Sequence, residues 1–221
     1  MSHLRGTDEN FMYKNLSIRQ IVGGAALLVV LVAAPAAAHH PFGGEAPSTF
    51  WEGLVSGVGH PVVGLDHLAF VVAVGLLAAM TRRGLFILMT FLAAALAGTG
   101  LHLAELSLPV PELAISGSVL VFGALAAMGD RFSLRVVVAL AAIAGLFHGY
   151  AYGEAVVGAE PTPLVAYLIG FTGVQGAIAF VTYLLSKRAI GQDRTVGLVS
   201  VRNAGFVLCG AGAAFLGGLL V

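Results

Sequence analysis

The chain has 221 residues, of which 58% are hydrophobic and only 10% are charged, and its formal net charge is zero. A soluble domain carries about 25% charged residues, so this composition excludes an ordinary soluble domain, and the balanced charge gives no reason to expect a nucleic-acid partner. The single cysteine, Cys209, excludes an internal disulfide and any site built from several thiolates. Apolar runs of ~20 residues recur, each long enough to span a bilayer. The sequence therefore predicts an all-α fold, a polytopic membrane helix bundle.

The N-terminal segment has the three parts of a secretory signal peptide. Basic residues precede an apolar run over residues 21–34, which is followed by small residues suited to a cleavage site. We predict that residues 1–38 form a cleaved signal peptide, for which Met12 would be a more usual start. Cleavage would place His39 and His40 at the new N-terminus, where two adjacent histidines are a weak signal for metal binding.

Residues 39–60 are predicted to form a periplasmic N-terminus that contains a short helix on the outer membrane surface, over residues 48–58. Thr49 and Glu52 have the spacing of a capping box, which marks the start of a helix. The two aromatic residues between them suit an interfacial anchor.

Residues 61–221 are predicted to form a domain of six transmembrane helices. Every Lys and Arg after residue 40 lies at the junctions of spans 1 and 2, 3 and 4, or 5 and 6, and the longest internal loop is predicted over residues 187–202. Positive charge marks cytoplasmic loops, so the mature N- and C-termini are both expected outside the cytoplasm. A retained signal peptide would add a seventh span and leave this orientation unchanged. The six predicted spans cover residues 61–80, 85–108, 113–128, 134–152, 163–185 and 204–221.

The segment H-P-V-V-G-L-D-H, residues 60–67, places ionisable groups at the start of the first span. Such groups are costly in a membrane and indicate a functional site. His60 and His67 are about two helical turns apart, so they are predicted to share one helix face with Gly64 between them. Asp66 is rotated by about 100° from His67, which suits a residue that orients a metal ligand rather than binding the metal directly.

Histidines on three different spans are predicted to lie at a similar depth. His67, His102 and His148 each fall about 6–9 Å inside the outer end of their helix, given a rise of ~1.5 Å per residue. Glu105 lies one turn after His102, and Glu154 lies at the outer mouth. Imidazole and carboxylate ligands suit Ni²⁺, Co²⁺ and Zn²⁺, whereas Cu⁺ prefers sulfur. A convergent metal site open to the outside is therefore predicted.

Each of these groups also has a structural interpretation without metal. The residues around His67 could form a hydrogen-bond network at a helix start, and His148 could serve in helix packing. His102 and Glu105 could bond a neighbouring helix, and the acidic residues at the mouth could be ordinary surface groups. Gln175, in the middle of the fifth span, is interpreted as an interhelical hydrogen-bond partner rather than as a substrate contact.

Three segments resemble the HupE/UreJ family of membrane proteins, which are regarded as nickel or cobalt permeases. Residues 60–67 are similar to the H-P-x-x-G-x-D-H signature of that family, residues 111–120 to its segment entering the third span, and residues 147–154 to its H-G-x-A-x-G motif. Many members have a second histidine where this chain has Tyr152. Their acidic residue also stands one place later than Glu154.

The resemblance implies a permease that imports Ni²⁺ or Co²⁺ across the bacterial inner membrane through a His/Asp site in the outer part of the bundle. No prosthetic group is expected, because the metal is the transported substrate. The expected partners are the metal ion and membrane lipid. A homo-oligomer and an energising partner are both left open, since no P-loop is present. The predicted metal-site residues are His60, Asp66, His67, His102, Glu105, Glu112, His148 and Glu154.

Two other functions fit the same residues. In a membrane-embedded zinc hydrolase, His67, His102 and His148 would bind the metal, with Asp66 or Glu105 as the base. In the other alternative, the chain is an accessory protein of hydrogenase or urease, or a metal sensor, and transports nothing.

Overall fold

Seven α-helices contain nearly all of the residues that the computed structural model describes, which are 46–129 and 131–220. The predicted signal peptide, His39 and His40 lie outside the described residues. No strand occurs within the described ranges. The helices are α1 (Phe50–Val63), α2 (Leu65–Met80), α3 (Leu85–Leu103), α4 (Pro111–Met128), α5 (Leu134–Glu154), α6 (Pro161–Gln192) and α7 (Arg194–Gly218).

Helices α3 to α7 are each long and apolar enough to cross a membrane. Helices α1 and α2 reach the length and hydropathy of a membrane span only as a pair, and they are bent by 77° at the break between them. The described chain is thus a multi-pass membrane protein with five candidate spans, or six if the bent pair is one span. Large apolar side chains cover the outside of the bundle, as expected for a lipid-facing surface; examples are Phe86, Met89, Ile143, Val165 and Phe206.

Helix α2 runs through the centre of the bundle. Phe70, Val71 and Val74 on this helix are fully buried. Phe70 packs edge-on against Phe91 of α3 and Phe122 of α4, with ring centroids 5.4 and 4.8 Å apart. The polar residues at the start of α2 therefore enter the middle of the protein and not its lipid-facing surface.

Glycines bring α3 and α5 into close parallel contact. A Cβ added at Gly98 would overlap the backbone of Leu146, and one added at Gly149 would overlap the backbone of Ala95. The hydroxyl of Thr99 donates to the carbonyl oxygen of Gly149 over 2.8 Å, which adds a polar contact to this interface. Small residues that let helix backbones approach are typical of membrane helix pairs.

Helices α4 and α7 pack in the same way but run antiparallel. Gly123 packs against the backbone of Cys209, while Gly212, further along α7, packs against Leu120, which comes earlier on α4. At the other end, Arg202 Nε donates to the carbonyl oxygen of Ala127 over 2.9 Å. The arginine thereby satisfies a carbonyl in the last turn of α4, which has no partner within the helix.

Helix α1 starts as predicted but is longer. The capping box is confirmed, because the Thr49 hydroxyl accepts from the Glu52 N–H at 3.2 Å and the Glu52 carboxylate accepts from the Thr49 N–H at 3.3 Å. The helix continues five residues beyond the predicted end, as far as Val63. Gly53 packs on the backbone of Pro163 in α6. The predicted boundary failed because Pro61 is accommodated near the end of α1 and does not start a new helix.

Two other boundaries differ from the prediction. Residues 187–202 are not a loop: only Asp193 separates α6 from α7, and its carboxylate accepts from the N–H groups of Thr195 and Val196. The prediction failed because charged residues show where a helix leaves the membrane, but they do not end the helix. Both helices therefore continue through the charged segment beyond their apolar parts. Helix α3 ends at Leu103, and Glu105 has a left-handed backbone with φ 59°. His102 and Glu105 therefore do not share a helix face.

Candidate metal centre

The break between α1 and α2 brings two histidines together. His60 lies in the last turn of α1 and His67 in the first turns of α2, and their ring centroids are 5.6 Å apart. A Cβ on Gly64 would lie 2.7 Å from Cδ2 of His67, so a larger residue here would displace this ring. The prediction that one continuous helix presents both histidines on one face is wrong. They approach because the chain bends by 77° between them.

Asp66 acts on the backbone at the start of α2. One of its carboxylate oxygens accepts from the N–H of His67 at 2.8 Å. The first N–H groups of a helix have no partner within the helix, and a carboxylate near this end is also favoured by the helix dipole. The recorded hydrogen bond of Asp66 is thus with the backbone of His67 and not with its imidazole ring.

A second short contact joins His67 to α5. Nδ1 of His67 lies 2.7 Å from Nδ1 of His148, and the exposed fractions of the two residues are 6% and 0%. The ring of Phe70 stacks on His148 with a centroid distance of 4.2 Å. At 2.7 Å one of the two nitrogens must donate and the other must accept.

Ser118 on α4 fixes which nitrogen donates. Its hydroxyl lies 2.6 Å from the carbonyl oxygen of Ile115 and 2.9 Å from Nε2 of His148. A carbonyl can only accept, so the single hydroxyl proton goes to Ile115 and the Ser118 oxygen accepts from Nε2–H of His148. Neutral His148 then has its lone pair on Nδ1, which accepts from Nδ1–H of His67. The lone pair of neutral His67 is consequently on Nε2.

The same argument assigns the tautomer of His60. The Tyr167 hydroxyl donates to the carbonyl oxygen of Tyr152 over 2.8 Å and lies 2.9 Å from Nδ1 of His60. The hydroxyl has one proton, so its oxygen accepts from Nδ1–H of His60. His60 and His67 therefore both carry their lone pair on Nε2, one of the two nitrogens through which a neutral imidazole binds a transition metal.

Tyr152 completes the cluster. Its ring centroid lies 5.0 Å from that of His60 and 4.5 Å from that of His67, and the residue is fully buried. Among the described residues its hydroxyl has no hydrogen-bond partner. A buried hydroxyl without a partner is costly, which points to a ligand or water that it contacts.

With this geometry in place, comparison with known proteins identifies the family. The model of the HupE / UreJ protein family matches residues 27–215. The chain belongs to the HupE/UreJ family. Protein HupE of Rhizobium leguminosarum bv. viciae is 31% identical over 171 residues, which cover 76% of this chain and 86% of that protein. No solved structure gave a significant match. The resemblance drawn from the sequence motifs is thereby confirmed.

The other predicted site residues of this HupE/UreJ chain have no recorded hydrogen bond or ring contact with the cluster in the described part of the chain. The His102 ring packs against Tyr150 with a centroid distance of 4.4 Å, and its Nδ1 is buried without a hydrogen bond in the described part of the chain. Glu105, Glu112 and Glu154 are exposed. Within the described ranges, no group of three or more His, Cys, Asp and Glu side chains is placed to hold a metal ion. The ligand role of these residues stays a prediction.

Three residues of the cluster were not predicted as part of it. Ser118 lies in the segment similar to the HupE/UreJ pattern, residues 111–120, which was the only signal for it. Tyr152 was noted only as the departure from the family histidine. Tyr167 had no signal in the sequence, because its contact with His60 joins α6 to a helix more than one hundred residues earlier.

Proposed function

We propose that this HupE/UreJ chain is a permease that imports a divalent transition metal, Ni²⁺ or Co²⁺, across the inner membrane. The observation that carries the proposal is the meeting of His60 and His67 across a helix break, with both lone pairs on Nε2. Neutral imidazole suits both metals. Discontinuous membrane helices are a recurring way to build ion sites in transporters.

The described residues supply two imidazole donors, a set that suits transport better than tight storage. Two nitrogens leave most of the coordination shell to water, so the ion is held weakly enough to leave again, as conduction requires. The hydroxyl of Tyr152 lies beside both rings and is proposed to hydrogen-bond to a water on the ion. Asp66 supports His67 through the backbone.

In this proposal His148 positions His67 and does not bind the metal. Both of its ring nitrogens are used in hydrogen bonds, one to His67 and one to Ser118. Such partners fix the tautomer and the orientation of a metal-binding imidazole.

We expect Ser118→Ala to weaken Ni²⁺ uptake through this chain of hydrogen bonds. Removing the acceptor for Nε2–H frees His148 to adopt the other tautomer, which would no longer accept from His67. The apparent KM for Ni²⁺ should rise by about 10–100-fold, as for other partners of metal-binding imidazoles. Ser116→Ala is the matched control, since Ser116 is also buried on α4 but has no contact with His148 among the recorded hydrogen bonds. Equal KM values for the two variants would contradict the positioning role.

The proposed topology has six spans, with α1 and α2 counted as one, and both mature termini in the periplasm. All basic residues of the described chain then face the cytoplasm. We expect a periplasm-dependent reporter enzyme to be active when fused after the last residue and inactive when fused after Arg83. The reverse pattern would reject this orientation.

The transport proposal is tested by uptake of radiolabelled Ni²⁺ and Co²⁺ into a host that lacks its own uptake systems. Cells expressing this chain alone should accumulate metal well above cells with the empty vector. No accumulation despite normal protein levels would refute a transporter and favour an accessory role. The zinc hydrolase gains no support from the described residues, because a catalytic zinc needs three protein ligands and no such group is found there.

A further inference from the structure

Gln175 on α6 carries a buried amide whose two polar atoms make no hydrogen bond within the described ranges. The residue is fully buried, and both Oε1 and Nε2 are without a partner. It stands near the middle of the apolar part of α6, where a polar group without a partner carries a large free-energy cost. The interhelical hydrogen bond predicted for Gln175 from the sequence is not found among residues 46–129 and 131–220.

Thr172, one turn earlier, shows the same feature. Its hydroxyl is buried and has no partner in the described chain. A serine or threonine within a helix usually donates to the carbonyl four residues before it, as Ser200 of α7 does to Val196 over 2.9 Å. Residues three apart lie on the same side of a helix, so the two side chains present three polar atoms to one region.

On α6 this region directly follows Phe171, a residue that contacts the histidine cluster. Phe171, one turn before Gln175, packs against the ring of Tyr152 with centroids 5.2 Å apart. Further inward, a Cβ at Gly75 of α2 would lie 2.6 Å from the carbonyl oxygen of Ala179. Residues four apart share a helix face, so Gln175 lies between these two contacts at the next turn, about 6 Å below Phe171.

We propose that Gln175 and Thr172 form a second binding station, which takes the divalent cation, still partly hydrated, after it leaves the histidines. The inference rests on the transport function proposed above and extends it to a deeper site. The amide oxygen accepts from a water on the ion, and the Thr172 hydroxyl can accept from another. Neutral oxygen groups bind a hydrated cation weakly, so the ion is not trapped at the centre of the membrane.

The test measures Ni²⁺ uptake and thermal stability of Gln175→Leu together. Leucine has a similar size and removes both polar atoms, so a protein that gained nothing from the amide should be as stable as the wild type or more so. The maximal rate of uptake should nevertheless fall by about tenfold, in the range for groups that act through the shell around a metal. The KM should change little, because capture occurs at His60 and His67.

Thr172→Val provides a second, nearly isosteric variant, and Thr182→Val is the control on the same helix, at a threonine that packs against Gly75. Thr172→Val should lower the maximal rate, and Thr182→Val should not. Wild-type rates in both Gln175→Leu and Thr172→Val would overturn the second station. The second station would also be overturned if Gln175→Leu lost enough thermal stability to explain its loss of uptake. That result would show that the amide makes an interhelical hydrogen bond. If wild-type cells take up no metal, the transport function itself fails and the station with it.

Discussion

Replacing His67 with alanine is expected to reduce uptake of Ni²⁺ and Co²⁺ to the level of cells that carry the empty vector. Among the described residues, His67 has recorded contacts with both other histidines of the cluster, with its ring 5.6 Å from His60 and its Nδ1 bonded to His148. Its loss removes one of two nitrogen donors and leaves the lone pair of buried His148 without a donor. Uptake of the radiolabelled metals over a range of concentrations measures the effect.

The matched control is His102→Ala. His102 is also a histidine near the outer end of a membrane helix, but its ring packs on Tyr150 of α5. This variant should keep at least half of wild-type uptake once protein amounts are equalised, because the proposed site takes its two nitrogen donors from His60 and His67. Wild-type uptake by His67→Ala, or equal losses in the two variants, would remove the basis for a site at His60 and His67.

The sequence predicted the meeting of His67 and His148 for a sound physical reason. Ionisable groups at one depth in a bilayer lower their free energy by facing one another, and depth follows from the helical rise. His102 met the same depth criterion, yet it packs against Tyr150. Depth fixes the level of a side chain along the helix axis but not the direction in which it points, which depends on how α3 and α5 pack.

The proximity of His60 and His67 was predicted from helical periodicity, but the structure reaches it through the bend at Gly64. Local propensity could not reveal this bend, since Pro61 three residues earlier is the stronger signal for a helix start. The backbone at Gly64 is extended, with φ −71° and ψ 99°, and its amide bonds the carbonyl oxygen of His60 at 3.1 Å.

The histidine tautomers and the second station could not be predicted from the sequence either, because both depend on how distant helices pack. Ser118 and Tyr167 fix the protons on His148 and His60, and each comes from a helix that is distant along the chain. The polar character of Gln175 was visible, but the absence of a partner within the described residues is a property of tertiary packing. Fold type and approximate spans follow from local hydrophobicity, whereas hydrogen-bond direction requires the assembled bundle.

Replacing Gly98 with alanine is expected to separate α3 from α5 and destabilise the protein. The added Cβ would lie 2.8 Å from the carbonyl carbon of Leu146 and 2.9 Å from the amide nitrogen of Tyr150, both backbone atoms that cannot rotate away. Overpacking of this kind costs about 1–3 kcal/mol, which exceeds the gain of about 1 kcal/mol from the higher helix propensity of alanine. Thermal unfolding of the purified protein in detergent should show a clearly lower midpoint.

Gly100→Ala isolates the packing effect from the propensity effect. Gly100 lies two residues further along α3, is exposed, and has nothing within 4 Å of an added Cβ. Its substitution should leave the midpoint unchanged or raise it, while Ni²⁺ uptake stays at the wild-type rate. Gly98→Ala should lower uptake as well, since α5 carries both His148 and Tyr152 and any shift of this helix changes their distances to His67. A stable Gly98→Ala protein with normal uptake would show that the close contact between α3 and α5 is not required for the site.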